Sequence, residues 1–86
     1  MTVSIVYTPT FNRGFKSLSS NDRDRVKKAL EELASLDDPR RGGDRKHGPL
    51  RDLYAYSVGQ QIRILYAFVD GKLVLLRVGS HSAVYK

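Results

Sequence analysis

The chain has 86 residues and a mass of 9.7 kDa, enough for one domain spanning 1–86 and too little for two. It contains no cysteine, which excludes a disulfide framework, thiolate zinc sites and a cysteine nucleophile together. Fifteen Lys and Arg against nine Asp and Glu give a net charge of +6, and no apolar run approaches the roughly 18 residues of a membrane span.

The charge is unevenly spread. Residues 1–39 hold six side chains of each sign, whereas 40–86 hold nine basic and three acidic ones. A neutral half joined to a basic half points to a scaffold with a polyanion-facing surface; the plainer alternative is a basic surface with no ligand. The opening MTVSIVYTPTF has neither a basic leader nor a long apolar stretch, so it is expected to be structure and not a signal peptide. A cytoplasmic protein is the expectation.

Val3, Ile5 and Tyr7 alternate with their neighbours, so residues 3–8 read as a strand that Pro9 ends. Proline suits the first turn of a following helix, where Phe11, Phe15 and Leu18 share one face, although Gly14 weakens that helix. Ser19, Ser20 and Asn21 supply a break and a cap for a second helix with an apolar stripe of Val26, Ala29, Leu30, Leu33 and Leu36. Asp22 and Asp24 suit the positive end of its dipole. Residues 37–49, DDPRRGGDRKHGP, lack periodicity and read as a loop.

The remainder reads mostly as strand: 50–58 and 61–69 about Gly59-Gln60, then 72–78 after the hairpin signal Asp70-Gly71. The expected fold is therefore α+β, in the order βααβββ, with an N-terminal helical hairpin on an antiparallel sheet that the first strand can extend. In the last two strands both faces are apolar. Ile62, Ile64, Tyr66 and Phe68 oppose Arg63, Leu65, Ala67 and Val69, and Leu73, Leu75 and Arg77 oppose Val74, Leu76 and Val78. A helical hairpin covers one face, so the second is expected to be closed by the chain's own C-terminus or by another protein.

The familiar catalytic motifs are missing: there is no GxGxxG, P-loop, GxSxG or HExxH. His47 and His81 stand 34 residues apart without clustered carboxylates, so neither a metal site nor a cofactor is expected. There is left a basic, proton-transferring set: Arg40, Arg41, Arg45, Lys46 and His47 in the loop, Arg51, Arg63 and Arg77 on or beside strands, and His81, Tyr85 and Lys86 in the tail. RNA cleavage by 2′-OH attack on the adjacent phosphate needs such groups. A proton must leave the 2′-OH, negative charge builds on the phosphoryl oxygens, and the departing 5′-oxygen must gain a proton. Histidine suits the proton transfers and Lys or Arg the charge, while tyrosine stacks on a base or donates its hydroxyl. Arg63 stands out, because a lone arginine on an apolar strand face is costly without an anionic partner. Tyr54, Tyr56 and Tyr66 read as packing residues.

The βααβββ order, with RDRVKKALEEL, KHGPLRDLYAYSVGQQIRILYAF and LRVGSHSAVYK, resembles the RelE/ParE superfamily of toxin–antitoxin toxins across essentially the whole chain. The G-S-H form of the tail is similar to the YafQ-like subgroup. Resemblance to the RelE branch implies an mRNA interferase that cuts messenger RNA in the ribosomal A site, and a cognate antitoxin that binds it in a hetero-oligomeric complex. Carried over by position, Arg63 matches the family's phosphate-contacting arginine, and His81 and Tyr85 match the tail residues implicated in proton transfer and base positioning. Lys46 and His47 fall where members place basic residues before the second strand, with Arg51 as a further phosphate contact. The implied catalytic set is His81, Tyr85, Arg63 and Lys46, and the implied phosphate-binding set is Arg45, His47, Arg51, Arg77 and Lys86. Ser57 stands where many members carry an arginine. ParE-type members share the fold but poison DNA gyrase by binding, which gives a second expectation; an RNA-binding module without activity gives a third.

Overall fold

The computed structural model describes residues 4–36, 39, 44–45 and 53–80, and for 44–45 the backbone alone. Strand β1 (Ser4–Tyr7) leads into α1 (Pro9–Lys16) and α2 (Ser20–Ala34), then β2 (Asp44–Arg45), β3 (Tyr54–Val58), β4 (Ile62–Val69) and β5 (Lys72–Ser80). The sheet order is β1-β5-β4-β3-β2. The meander β3-β4-β5 is antiparallel as the sequence implies, but β1 runs parallel to β5, so the sheet is mixed.

Local chemistry explains the boundaries. Thr8 caps α1: its hydroxyl accepts from the Phe11 amide at 3.3 Å and donates to the Leu75 carbonyl at 2.8 Å, tying the helix start to β5. Ser19 caps α2 by accepting from the Asp22 amide at 3.2 Å. Gly14 permits a close approach, since a Cβ there would stand 2.5 Å from the Val78 carbonyl oxygen; the residue that weakens the isolated helix is what lets α1 lie on β5. At the β4–β5 turn, Asp70 and Gly71 both have positive φ, 52° and 74°, as a two-residue hairpin requires.

The core lies between the helices and one face of the sheet. Val26, Leu33, Ile64, Tyr66, Leu73 and Leu75 are fully buried there, with Phe11 beside them. Tyr66 satisfies its hydroxyl inside by donating to the Pro39 carbonyl at 2.6 Å, and Tyr54 stacks on it with centroids 5.7 Å apart. Tyr56 donates to Glu32 at 3.3 Å. These three tyrosines work on the helix side, as the packing reading holds.

Three expectations change. Residues 44–45, read as loop, form a two-residue edge strand opposite Ala55 and Tyr54, too short to leave a periodic signal. Strand β5 runs on to Ser80. A bulge opposite Leu65/Tyr66 leaves Leu76 without a ladder partner, so Leu73, Leu75 and Val78 face the core while Arg77 pairs with Leu65 on the other face. The second Thr8 contact, to the Leu76 carbonyl at 3.3 Å, sits at this bulge. The sequence's alternation assigned Val78 and Leu73 to opposite faces because strict period two does not anticipate an extra residue.

The face away from the helices is not open at its centre. Ala55, Leu65 and Ala67 are buried at 4%, 4% and 9% exposure, already shielded within the single chain. Among the described residues the large apolar side chains left exposed are peripheral: Val6 and Tyr7 on β1, Leu36 after α2, and Val69 at the end of β4. Residues 81–86, offered by the sequence as part of the cover, lie outside the described residues.

Candidate functional site

The candidate site is built on the face opposite the helices, at the end of the meander where β4 begins. Arg63 is the second residue of β4, and strand alternation points it away from the core that its neighbours Ile62 and Ile64 enter. Its ladder partners are Ser57 on β3 and Gly79 on β5, one small side chain and none. The guanidinium therefore has only the exposed Ser57 and the buried Gly79 as its cross-strand neighbours. Arg63 is half-buried, and its Nη1 donates to the Ile62 carbonyl at 3.0 Å and weakly to the Gln60 carbonyl at 3.5 Å. Those contacts orient the fork and leave its charge without compensation from any carboxylate among the described residues.

Arg77 belongs to the same face. It pairs with Leu65, two residues along β4 from Arg63, which makes the two arginines diagonal neighbours roughly 7–8 Å apart by ordinary sheet geometry. Strands β3, β4 and β5 contain no Asp or Glu. Arg77 is exposed and also lines a hollow with Thr10, Arg13, Gly14 and Ser17, so the half-buried charge that an anion on this face would meet is that of Arg63. The arrangement can accept a phosphoryl group and stabilise charge that builds on it.

Other candidates divide into those the sheet separates from this pair and those outside the described residues. Arg45 pairs through its backbone with Tyr54, three residues along and two strands across from Arg63, on the order of 14 Å by strand spacing. Ser80 pairs with Ile62, so the chain leaves the sheet at the Arg63 end. His81, Tyr85, Lys86, Lys46, His47 and Arg51 lie outside the described residues. Among the described residues no group of three or more His, Asp or Glu is arranged to hold a metal ion, and no helix is long and apolar enough to cross a membrane. That Ser57 and Gly79 flank Arg63 was missed in the sequence, where Ser57 registers only as a missing arginine; strand register was needed to see it.

Residues 5–86 match the family model described as the ParE-like toxin of type II bacterial toxin–antitoxin systems. No curated protein matches the chain. Among solved structures, the chain is similar to the toxin–antitoxin complex RelBE2 from Mycobacterium tuberculosis, at 24% identity over 95% of this chain and 94% of that one, with a TM-score of 0.82. It is similar to YafQ from Escherichia coli at 16% identity over 98% and 99% of the chains, TM-score 0.78. A mutant of the E. coli toxin RelE in the free state matches at 22% identity over 99% and 90%, TM-score 0.77. At these identities the likeness speaks for the fold.

Proposed function

The chain belongs to the ParE-like toxin family of type II bacterial toxin–antitoxin systems, with a RelE/YafQ-like fold, and from that premise we propose that it is a ribosome-dependent endoribonuclease. The observation that supports this reading is Arg63, half-buried on the sheet face away from the helices, its Nη1 held by the Ile62 and Gln60 carbonyls and no carboxylate beside it among the described residues.

In this reading the substrate is messenger RNA in the ribosomal A site. The 2′-oxygen loses its proton and bonds to the adjacent phosphorus, the bond from phosphorus to the 5′-oxygen breaks, and that oxygen takes up a proton. The products are a 2′,3′-cyclic phosphate and a 5′-hydroxyl. Arg63 and Lys46 stabilise the charge on the phosphoryl oxygens; His81 transfers a proton as general acid or base; Tyr85 positions a base or assists that transfer. Arg45, His47, Arg51, Arg77 and Lys86 hold neighbouring phosphates. The step is metal-independent, and the partner that silences it is a cognate antitoxin.

The test is cleavage of labelled mRNA on programmed ribosomes by the purified protein, with end-group analysis. Cuts within the A-site codon that leave 5′-hydroxyl ends are expected, and His81→Ala should slow them by about 10² to 10⁴ while the protein stays folded. Full activity in a folded His81→Ala protein removes that residue from the mechanism. The ParE-like family model favours one second reading, a gyrase inhibitor acting by binding. Intact mRNA together with inhibited supercoiling by purified gyrase would establish that reading instead.

A further inference from the structure

The first 39 residues are neutral in sum, yet their charges are separated along the helices. Residues 13–28 carry six basic side chains and two acids, while 31–38 carry four acids and no base. On α2 the first turn follows the helix's own electrostatics, with Asp22 at its positive end, and the rest does not. Glu31 and Glu32 occupy the last turn, which favours cations, and Arg23, Arg25, Lys27 and Lys28 crowd the first two-thirds. Lys27 with Glu31 and Lys28 with Glu32 have the i,i+4 spacing of helix-stabilising pairs, which accounts for the acids at this end; where the exposed bases point is a separate matter.

Arg25 and Lys28 are exposed, one turn apart, and face the β3–β4 turn. Two adjoining hollows lie there, of about 560 and 200 Å³, and share Arg25 and Gly59. Their far wall carries Gln60 and Gln61, which offer amide donors. Two acids border the same groove: Asp22, 3.8 Å from Arg25, and Glu32, engaged by Tyr56. The wall contributes no exposed large apolar residue, since Val58 and Ile62 are buried and Tyr7, Val6 and Val69 lie elsewhere. A protein partner needs apolar anchors of that kind, whereas an RNA backbone is held by cations, amides and hydroxyls. The groove is also continuous with the candidate site, because the Gln60 carbonyl that accepts from Arg63 belongs to the turn forming the groove wall.

We propose that Arg25 and Lys28, with Gln60 and Gln61, form a second site that binds phosphodiesters of an RNA backbone outside the catalytic face. The inference rests on the reading that the protein acts on RNA. The phosphodiesters come either from the messenger strand or from ribosomal RNA, and the experiment separates the two.

Binding of the full chain to a fluorescein-labelled 20-nucleotide single-stranded RNA and to purified ribosomes is measured across a potassium chloride series. The wild type is compared with the double variant Arg25→Ala with Lys28→Ala, and with Asp22→Asn. Both basic residues are exposed on a helix where alanine is favoured, so the double variant should fold, checked by its melting curve. If the messenger strand occupies the site, the double variant's slope of log affinity against log salt on the oligonucleotide falls by about 1.4, two phosphate contacts' worth. If ribosomal RNA occupies it, the fall appears with ribosomes alone. Asp22→Asn should tighten the affected binding roughly two- to fivefold at low salt, the worth of an exposed ion pair. Unchanged slopes for the double variant on both targets overturn the inference while leaving wild-type RNA binding and cleavage intact. Unchanged RNA slopes with lost binding to polyglutamate would give the groove to an acidic protein and overturn it equally. A wild type that binds neither RNA nor ribosomes overturns the functional reading itself.

Discussion

The two faces of the sheet are built from the same alternating strands and put them to opposite uses. On the helix side Ile64, Tyr66, Leu73 and Leu75 have no exposure, and the polar tip of Tyr66 is answered by the Pro39 carbonyl. On the other side Ala55, Leu65 and Ala67 are buried too, but they support Arg63 and Arg77, on strands β3 to β5 that hold no carboxylate of their own. The difference teaches where to look for function in a small domain. The first face has every demand met and specifies the fold, whereas the second carries at Arg63 an electrostatic demand that an anionic ligand fulfils.

That contrast breaks most visibly on the helix side. Tyr66→Ala should cost about 3–5 kcal/mol, by the removal of a fully buried aromatic ring, read as a lower midpoint in urea unfolding. A loss below about 1 kcal/mol would mean that the core does not depend on this ring. Arg63→Ala should do the reverse, slowing mRNA cleavage by about 10²–10³ through loss of a charge-stabilising donor while stability moves by less than about 1 kcal/mol. Comparable losses of stability and activity would erase the distinction between the faces.

Gly14→Ala tests the helix–strand contact that fixes the first face. The added methyl would meet the Val78 carbonyl, so α1 must shift, and about 1–3 kcal/mol of destabilisation is expected despite alanine's better helix propensity. Stabilisation would show that α1 has room to move. The smallest effect concerns pH. Burial, and then the adjacent Glu32 carboxylate, hold the Tyr56 phenol above its ordinary 10.0. The unfolded chain therefore ionises first, and this contribution is complete below about pH 10 and lost as pH rises through the folded value. Tyr56→Phe should flatten the fall in melting temperature above pH 10, and identical profiles for the two proteins would assign that fall to other groups.

Much of this was legible in the chain of residues alone. The Pro9 helix start, the Ser19 cap, the Asp70-Gly71 hairpin and the core faces of α2 and β4 come from local chemistry and periodicity, whereas Thr8, read as the last strand residue, is the cap of α1. The features that escaped depend on relations between distant segments. The parallel pairing of β1 with β5 joins residues 68 positions apart, and the bulge at Leu76 is supported by Thr8, which alternation within β5 cannot reveal. The same holds at the candidate site. Arg63 was conspicuous as a lone charge on an apolar strand, but that its cross-strand neighbours are Ser57 and Gly79 follows only from the register. The separation of charge along α2 was in the sequence throughout; summing over the whole N-terminal half concealed it.

The central claim, that the arginine-bearing face performs RNA cleavage on a fold maintained by the other face, is tested most directly by mapping new mRNA 5′ ends in cells. The protein is induced without its antitoxin, and Arg63→Ala is expressed in parallel at the same level. The account predicts fresh ends at fixed positions within translated codons for the wild type, and their disappearance for a variant whose melting curve is unchanged. Growth arrest with intact messages, or undiminished cutting by the folded Arg63→Ala protein, would contradict it.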